Sequence, residues 1–175
     1  MSFSSDIKEE LSKVNNYKNK EVLMAELLGY ILTGNTSDFN TYIEYITENE
    51  FNIERLYKIL FNLEIDYEPM VDGKCFVAKI NKNSKLDKVF EIISNNNDEI
   101  QKSIVKGAFL GSGSVSDPNK QYHLEIPFNE IKNAEIISNI CKKYGVNLKI
   151  IESKGKYNIY IKDGEEISKF LALIT

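Results

Sequence analysis

Cysteine is scarce in this sequence. Cys75 and Cys141 are the only two in 175 residues, so neither a disulfide framework nor a four-ligand zinc site can be built, and both thiols are expected to be buried and inert. Arginine is scarcer still. Arg55 stands alone, whereas the side chains that read guanine edges or clamp phosphates bidentately are usually arginines. The single histidine, His123, leaves a hydrolase built on imidazole without partners, and its place beside Glu125 in an alternating segment points to a strand surface. No apolar run approaches the ~18 to 20 residues needed to cross a bilayer, and the opening MSFSSDIKEEL turns acidic where a secretory signal would turn apolar. These absences predict a cytoplasmic chain with no cofactor, no membrane partner and no small-molecule substrate.

What is present describes a folded domain. Hydrophobic residues make up 42% and charged residues 27%, while glycine and proline number only 9 and 3, so the chain can bury a real core. Its length allows one domain, or two small halves packed as one. The formal charge of −4 divides as 11 basic and 16 acidic residues over 1–97 against 11 and 10 over 98–175, which is no basic footprint for nucleic acid. Frequent Asn, Ile and Lys, including Asn95-Asn96-Asn97, look like AT-rich coding bias, and raw lysine content is discounted accordingly.

Periodicity predicts a first helix capped by Ser4 or Ser5 and ending near Val14, then a mostly apolar, interior helix from about Glu21 to Thr33. A strand over 39–47, a helix over 51–63, a hairpin of 65–71 with 74–81 and a helix over 85–94 complete the first half. The second half repeats the order, with a helix over 98–110, a strand over 121–127, a helix over 130–144, strands over 147–152 and 156–162, and a helix over 165–174. The shift between halves stays nearly constant: Gly29 matches Gly107 at 78, Asp38 matches Asp117 at 79, the strands match at about 80, and Gly73-Lys74 matches Gly155-Lys156 at 82. A shift held through independent elements marks an internal repeat, with residues 1–97 as the first unit and 98–175 as the second.

The two interior helices share a pattern. Gly29 with Thr33, and Gly107 with Gly111, place small residues four apart on one face, where two backbones can approach closely. Glycine inside a helix costs about 1 kcal/mol relative to alanine, so its double use requires a packing reason. The helices are therefore expected to pack on each other and generate a pseudo-two-fold axis.

Two helices of this kind, each leading an αββαββα-like half, resemble the LAGLIDADG homing-endonuclease fold: α+β, duplicated, with antiparallel sheets packed on helices and the two motif helices at the repeat interface. The opening MSFSSDIKEEL, Ala25-Glu26-Leu27, and above all the stretch from Gly107 to Pro118 followed by Tyr122-His123-Leu124-Glu125-Ile126, are similar to the WhiA family of bacterial regulators of sporulation and cell division. Lys154-Gly155-Lys156-Tyr157, Tyr160 to Glu165, Ile167-Ser168 and Phe170-Leu171 fit that family too; the first half diverges more. The resemblance implies a DNA partner, a nucleoid-associated location, and a C-terminal helix-turn-helix that carries much of the DNA recognition. No such segment follows Leu171-Ala172-Leu173-Ile174, so the sequence is expected to be an isolated N-terminal domain or a member lacking its reader.

The resemblance also bears on catalysis. Endonucleases of this fold cleave DNA with an acidic residue at the C-terminal end of each motif helix, the pair holding divalent metal. Here those positions are Gly34 and Ser112, one without a side chain and one with a neutral hydroxyl, which predicts a catalytically dead chain with no metal site. Asp38 and Asp117 lie four or five residues further on and are expected to be loop residues. Gly111-Ser112-Gly113-Ser114 follows its helix, whereas a phosphate cradle precedes one, and is expected to be the turn leaving the helix. In the endonucleases the strands form a saddle over DNA. The corresponding candidates are Lys79, Lys149, Asn158, Tyr160 and Lys162, mixed with Glu44, Glu125 and Glu152, so weak contacts are expected from this domain, or a platform for a partner in transcription or division. The alternative is a purely structural or protein-interaction domain without DNA contact.

Overall fold

Short polar side chains set where the helices start. In the structure, a computed structural model that describes residues 2–36 and 41–175, Ser2 caps α1 (Phe3–Ser12), Asn19 caps α2 (Lys20–Leu32) and Asn49 caps α3 (Glu50–Asn62). Asn83 caps α4 (Ser84–Glu91), Asn97 caps α5 (Asp98–Ser112) and Asp163 caps α7 (Gly164–Ile174). Each of these side chains accepts from a backbone N–H of the first turn, satisfying a donor that the helix leaves orphaned. Helix α6 (Ile131–Lys143) begins at Glu130 without such a bond. Four of the asparagines therefore have a structural use that coding bias does not supply. The cap of α1 lies at Ser2 rather than Ser4 or Ser5, and that helix ends two residues short of Val14.

The strands form two four-stranded antiparallel sheets. In the first, β1 (Asn35–Thr36), β2 (Tyr42–Thr47), β4 (Cys75–Asn81) and β3 (Tyr67–Asp72) lie in the order β1-β2-β4-β3. In the second, β5 (Ser114–Val115), β6 (Leu124–Phe128), β8 (Lys156–Ile161) and β7 (Lys149–Ser153) lie in the order β5-β6-β8-β7. The register repeats as well: Ile43 pairs with Ile80 and Leu124 with Ile161, both pairs shifted by 81 in the sequence. Residues 39 and 40 of the expected first strand lie outside the described residues.

Hairpin register corrects one detail of the repeat. Asp72 pairs with Cys75 and Ser153 with Lys156, so the structural counterpart of Gly73 is Lys154, not Gly155. Gly73 has φ +61; in the second hairpin both turn residues are left-handed, Lys154 at +52 and Gly155 at +76, the geometry that fits the twist of paired strands. The glycine has moved one place within an equivalent turn.

One face of each sheet closes the core. Ile43, Tyr45, Ala78 and Ile80 from the first sheet, and Leu124, Ile126, Phe128, Ile159 and Ile161 from the second, are buried against the helices. Helices α2 and α5 occupy the centre. α2 is buried from Val22 to Leu32 except at Met24, and α5 from Ile100 to Leu110 except at Lys102, so each is enclosed on nearly every side as an interior helix must be. Cys141 is buried, and burial pushes its thiol up to about 12, whereas Cys75 is only half-buried, contrary to the expectation for both. Among the described residues, no helix is long and apolar enough to cross a membrane.

Candidate functional site at the repeat axis

Four small residues meet where α2 crosses α5. A methyl group built on Gly29 would lie 2.2 Å from the Ile104 carbonyl oxygen, and one on Gly107 would lie 2.0 Å from the Glu26 carbonyl oxygen. One on Gly111 would lie 2.3 Å from the Thr33 hydroxyl, which itself donates to the Tyr30 carbonyl at 2.8 Å. At Gly29 and Gly107 the opposing backbone leaves no room for a Cβ, and at Gly111 the Thr33 side chain takes that space, which accounts for glycine in the interior of a helix despite its cost.

The C-terminal ends of these helices are tied down by the opposite repeat. Asn52, on α3, is fully buried; its amide donates to the Leu110 carbonyl of α5 and to the Tyr45 oxygen, and its Oδ1 accepts from the Tyr30 hydroxyl at 2.7 Å. Tyr45 in turn donates to the Gly111 carbonyl. Asn133 on α6 stands 81 residues from Asn52 and makes the reciprocal bond, donating to the Leu32 carbonyl of α2 at 3.2 Å. Asn129 adds a bond to the Gly34 carbonyl at 3.4 Å. Terminal helix carbonyls need partners, and here side chains from across the axis supply them. Sequence reasoning missed this pair, although the constant shift could have found it.

Gly34 and Ser112 sit just where the helices end. Gly34 follows the C-cap Thr33, and a methyl group there would press on the Glu44 carbonyl at 3.2 Å and the Ile43 side chain at 3.3 Å. Ser112 is the last helical residue of α5, and its hydroxyl donates to the Pro127 carbonyl at 2.9 Å. A position without a side chain and a hydroxyl already committed to a carbonyl supply no carboxylate, the side-chain ligand that hard divalent cations favour. The expected turn over 111–114 is corrected in the same place: Gly111 and Ser112 are helical, Gly113 is the cap, and Ser114-Val115 form β5 against β6. Asp117 Oδ1 accepts from the Asn119 N–H at 2.9 Å within a turn; Asp38 lies outside the described residues.

Beneath the crossing lies a charged group with no counterpart across the pseudo-two-fold axis. Glu26, fully buried, accepts from Arg55 Nε at 2.7 Å and Nη2 at 3.0 Å and pairs with Lys106 at 3.4 Å. Arg55 also donates to the Val14 carbonyl at 2.6 Å and to Asn16 at 2.8 Å, and stacks 4.7 Å from the Tyr17 ring centroid. Burial draws the Lys106 ammonium below the usual lysine range, partly offset by Glu26. The single arginine of the chain is thus spent inside the fold, joining α2, α3 and α5, and is withheld from the surface.

The outer faces of the sheets gather the other sequence candidates. Strand partners share a face, so Glu44, Lys79 and Glu68 lie in one outward row of the first sheet, and Glu125, Tyr160 and Lys149 in the equivalent row of the second. Asn158 lies on the same outer face beside Pro127, and Lys162 follows β8 with its ammonium 5.7 Å from the Tyr160 ring centroid. Glu152 is corrected: it pairs with Tyr157 and belongs to the opposite face. His123 stacks on Tyr160 at 6.5 Å and lies 3.5 Å from Glu125.

Two sheets of identical strand order, related through a pair of apposed glycine-bearing helices, define a LAGLIDADG homing-endonuclease-like domain. Residues 101–175 match the family model of the WhiA LAGLIDADG-like domain. The similarity to WhiA proteins extends through the rest of the chain as well. The chain is 33% identical to the probable cell division protein WhiA of Ruminiclostridium cellulolyticum over 208 aligned positions, covering 99% of this chain and 64% of that protein. The Clostridium tetani protein of the same name is likewise 33% identical, with 99% and 64% covered. The chain therefore spans somewhat less than two thirds of these relatives. Among solved structures, the N-terminal LAGLIDADG domain of DUF199/WhiA superposes with a TM-score of 0.85 at 28% identity, covering 99% of this chain and 92% of that one. I-DmoI, solved in complex with DNA and Mn, superposes with a TM-score of 0.64 at 16% identity, covering 90% and 98%, and shares the fold alone.

Proposed function

We propose that this chain is the non-catalytic N-terminal unit of a WhiA-like, nucleoid-associated regulator of cell division or sporulation, with its two repeats, 1–97 and 98–175, acting as one body. In this reading the unit makes weak contacts with DNA through the outer sheet faces, while a separate helix-turn-helix supplies most of the recognition. The observation that carries it is the state of the helix ends: Gly34 offers no ligand, the Ser112 hydroxyl is held by Pro127, and the neighbouring carbonyls are capped by asparagines. A body built this way keeps the endonuclease scaffold and lacks the paired carboxylates that phosphodiester cleavage by that fold uses. The DNA partner is supported by the shared fold with I-DmoI, whose complex contains DNA.

An electrophoretic shift assay tests the binding reading. Weak, salt-sensitive retardation of duplex DNA by the chain is expected, and tight binding would refute weak contact. Calorimetry with Mg²⁺ or Mn²⁺ tests the catalytic part, with no saturable heat expected; saturable binding lost on Asp117→Ala would restore the enzyme reading. The role of protein-interaction platform is favoured by Phe61 and Val71, which are 76% and 72% exposed.

A further inference from the structure

We propose that phosphate contacts are confined to the second-repeat sheet, so that the chain holds a duplex from one side of its pseudo-two-fold axis only; this rests on the DNA-contact reading above. The two outer faces have the same architecture and opposite charge. On the first, Glu44 and Glu68 flank Lys79 from both neighbouring strands, and Asp72 lies further along, giving three carboxylates to one ammonium. On the second, the place of Glu68 is taken by Lys149, that of Cys75 by Lys156 and that of Asn81 by Lys162, giving three ammonium groups to one carboxylate, Glu125.

The position of each charge sharpens the difference. Lys79 has a glutamate as its cross-strand neighbour on each side, and its ammonium lies 4.2 Å from the Tyr42 ring centroid, so a phosphate approaching it meets two carboxylates in the same row. Lys149 and Lys156 are exposed, and their cross-strand neighbours are Tyr160 and Ser153, neither of them a carboxylate. Glu125, the one carboxylate of the second face, has His123 beside it at 3.5 Å. The centre of that face also holds an amide: Asn158 occupies the place of Val77, and its Oδ1 is buried without a hydrogen-bond partner. The second face is thus polar at a place where the first presents the apolar Val77. Duplex binding follows the number of phosphates neutralised, so a face with net negative charge repels the backbone that its counterpart attracts.

The test is fluorescence anisotropy of this chain with a labelled duplex across a salt series. Three lysines engaging three phosphates give a slope of log K against log salt of about −3. Neutralising the second face with K149Q, K156Q and K162Q together is expected to weaken binding at least tenfold and flatten the slope, while K79Q changes affinity less than twofold. Neutralising the first face with E44Q, E68Q and D72N is expected to strengthen binding. All these groups lie on outer sheet faces, and circular dichroism verifies that each variant is folded. The inference is overturned, with DNA binding itself intact, if K79Q costs as much as the triple lysine variant or if the triple variant binds as the parent does. Absence of binding by the parent chain at any salt overturns the DNA reading and the inference with it.

Discussion

Adding a single methyl group at Gly107 should unlock the centre of the molecule. The new carbon would stand 2.0 Å from the Glu26 carbonyl oxygen and 2.8 Å from its carbon, where an ordinary carbon–oxygen approach is about 3.3 Å. Both obstacles are backbone, so no rotamer change relieves them and α2 must retreat from α5 by about an ångström. A gap of that size forfeits a quarter to a half of the dispersion well across the interface. Overpacking usually costs about 1 to 3 kcal/mol, and with helix backbone on both sides we place this case near 4, reduced to about 3 by the better helix propensity of alanine. In urea, with a slope of about 2 kcal/mol per molar, the midpoint should fall by about 1.5 M. Gly73→Ala gives the contrast: nothing lies within 4 Å, and only its left-handed φ of +61 is penalised, at about 1 kcal/mol. The double variant Gly29→Ala with Gly107→Ala should cost clearly less than the sum of its parts, because helices parted by one methyl already have room for the other. A Gly107→Ala midpoint equal to or above the parent's would refute the close-approach account and leave propensity as the dominant effect.

Asn52→Leu should lower stability by about 3 kcal/mol, since it leaves the buried Tyr30 hydroxyl and Leu110 carbonyl with only their long bonds, to the residue-52 carbonyl at 3.4 Å and from Tyr45 at 3.5 Å; Asn133→Leu, half-exposed and reachable by water, should cost about 1. Equal losses in chemical denaturation would show that the two caps are not set apart by burial. Glu26→Gln leaves Arg55 and Lys106 without their shared anion and should cost about 3 to 5 kcal/mol, read as a lowered Tm; an unchanged Tm would mean that the ion group is neutral to stability. For Lys8, which lies 5.7 Å from the Phe109 ring centroid, burial lowers the pKa from 10.5 to about 8. The unfolded chain therefore binds more protons between these values, and the stability contribution of Lys8 rises with pH across that window. Lys8→Met should exceed the parent in stability near pH 7, by a margin that narrows toward pH 10.5; a margin constant with pH would contradict the shift.

The helical scaffold and its duplication were legible because apolar periodicity and paired glycines are local signals with a constant shift. Strands of two residues were not: Asn35-Thr36 and Ser114-Val115 have no period to detect, and only their partners Ile43-Glu44 and Leu124-Glu125 define them. Gly111 and Ser112 read as a turn because propensity disfavours them, yet close packing on Thr33 and the Pro127 carbonyl keep them helical. Nothing local to the helix marks Asn52 and Arg55 for burial, and it is tertiary context that buries both. The outer sheet residues were found from the strand assignments together with the saddle that the family resemblance implies, and Glu152 was misplaced because no face was assigned to it. Their opposite charge in the two repeats required the pairing register, which sequence spacing alone left one residue uncertain at the hairpin.

Duplicated chains face an assembly hazard, since either half can dock on its own kind in another molecule as well as on its sibling. The ion group around Glu26 gives the halves separate identities. Its counterparts one repeat away are all apolar: Ile104 for Glu26, Ile136 for Arg55 and Leu28 for Lys106. If two first halves met, Glu26 would look onto Leu28 of the other copy, and if two second halves met, Lys106 would look onto Ile104. The first mismatch leaves Glu26 with Arg55 alone and the second strands Lys106 in a dry seam, so the unlike union is the one in which every ion is answered.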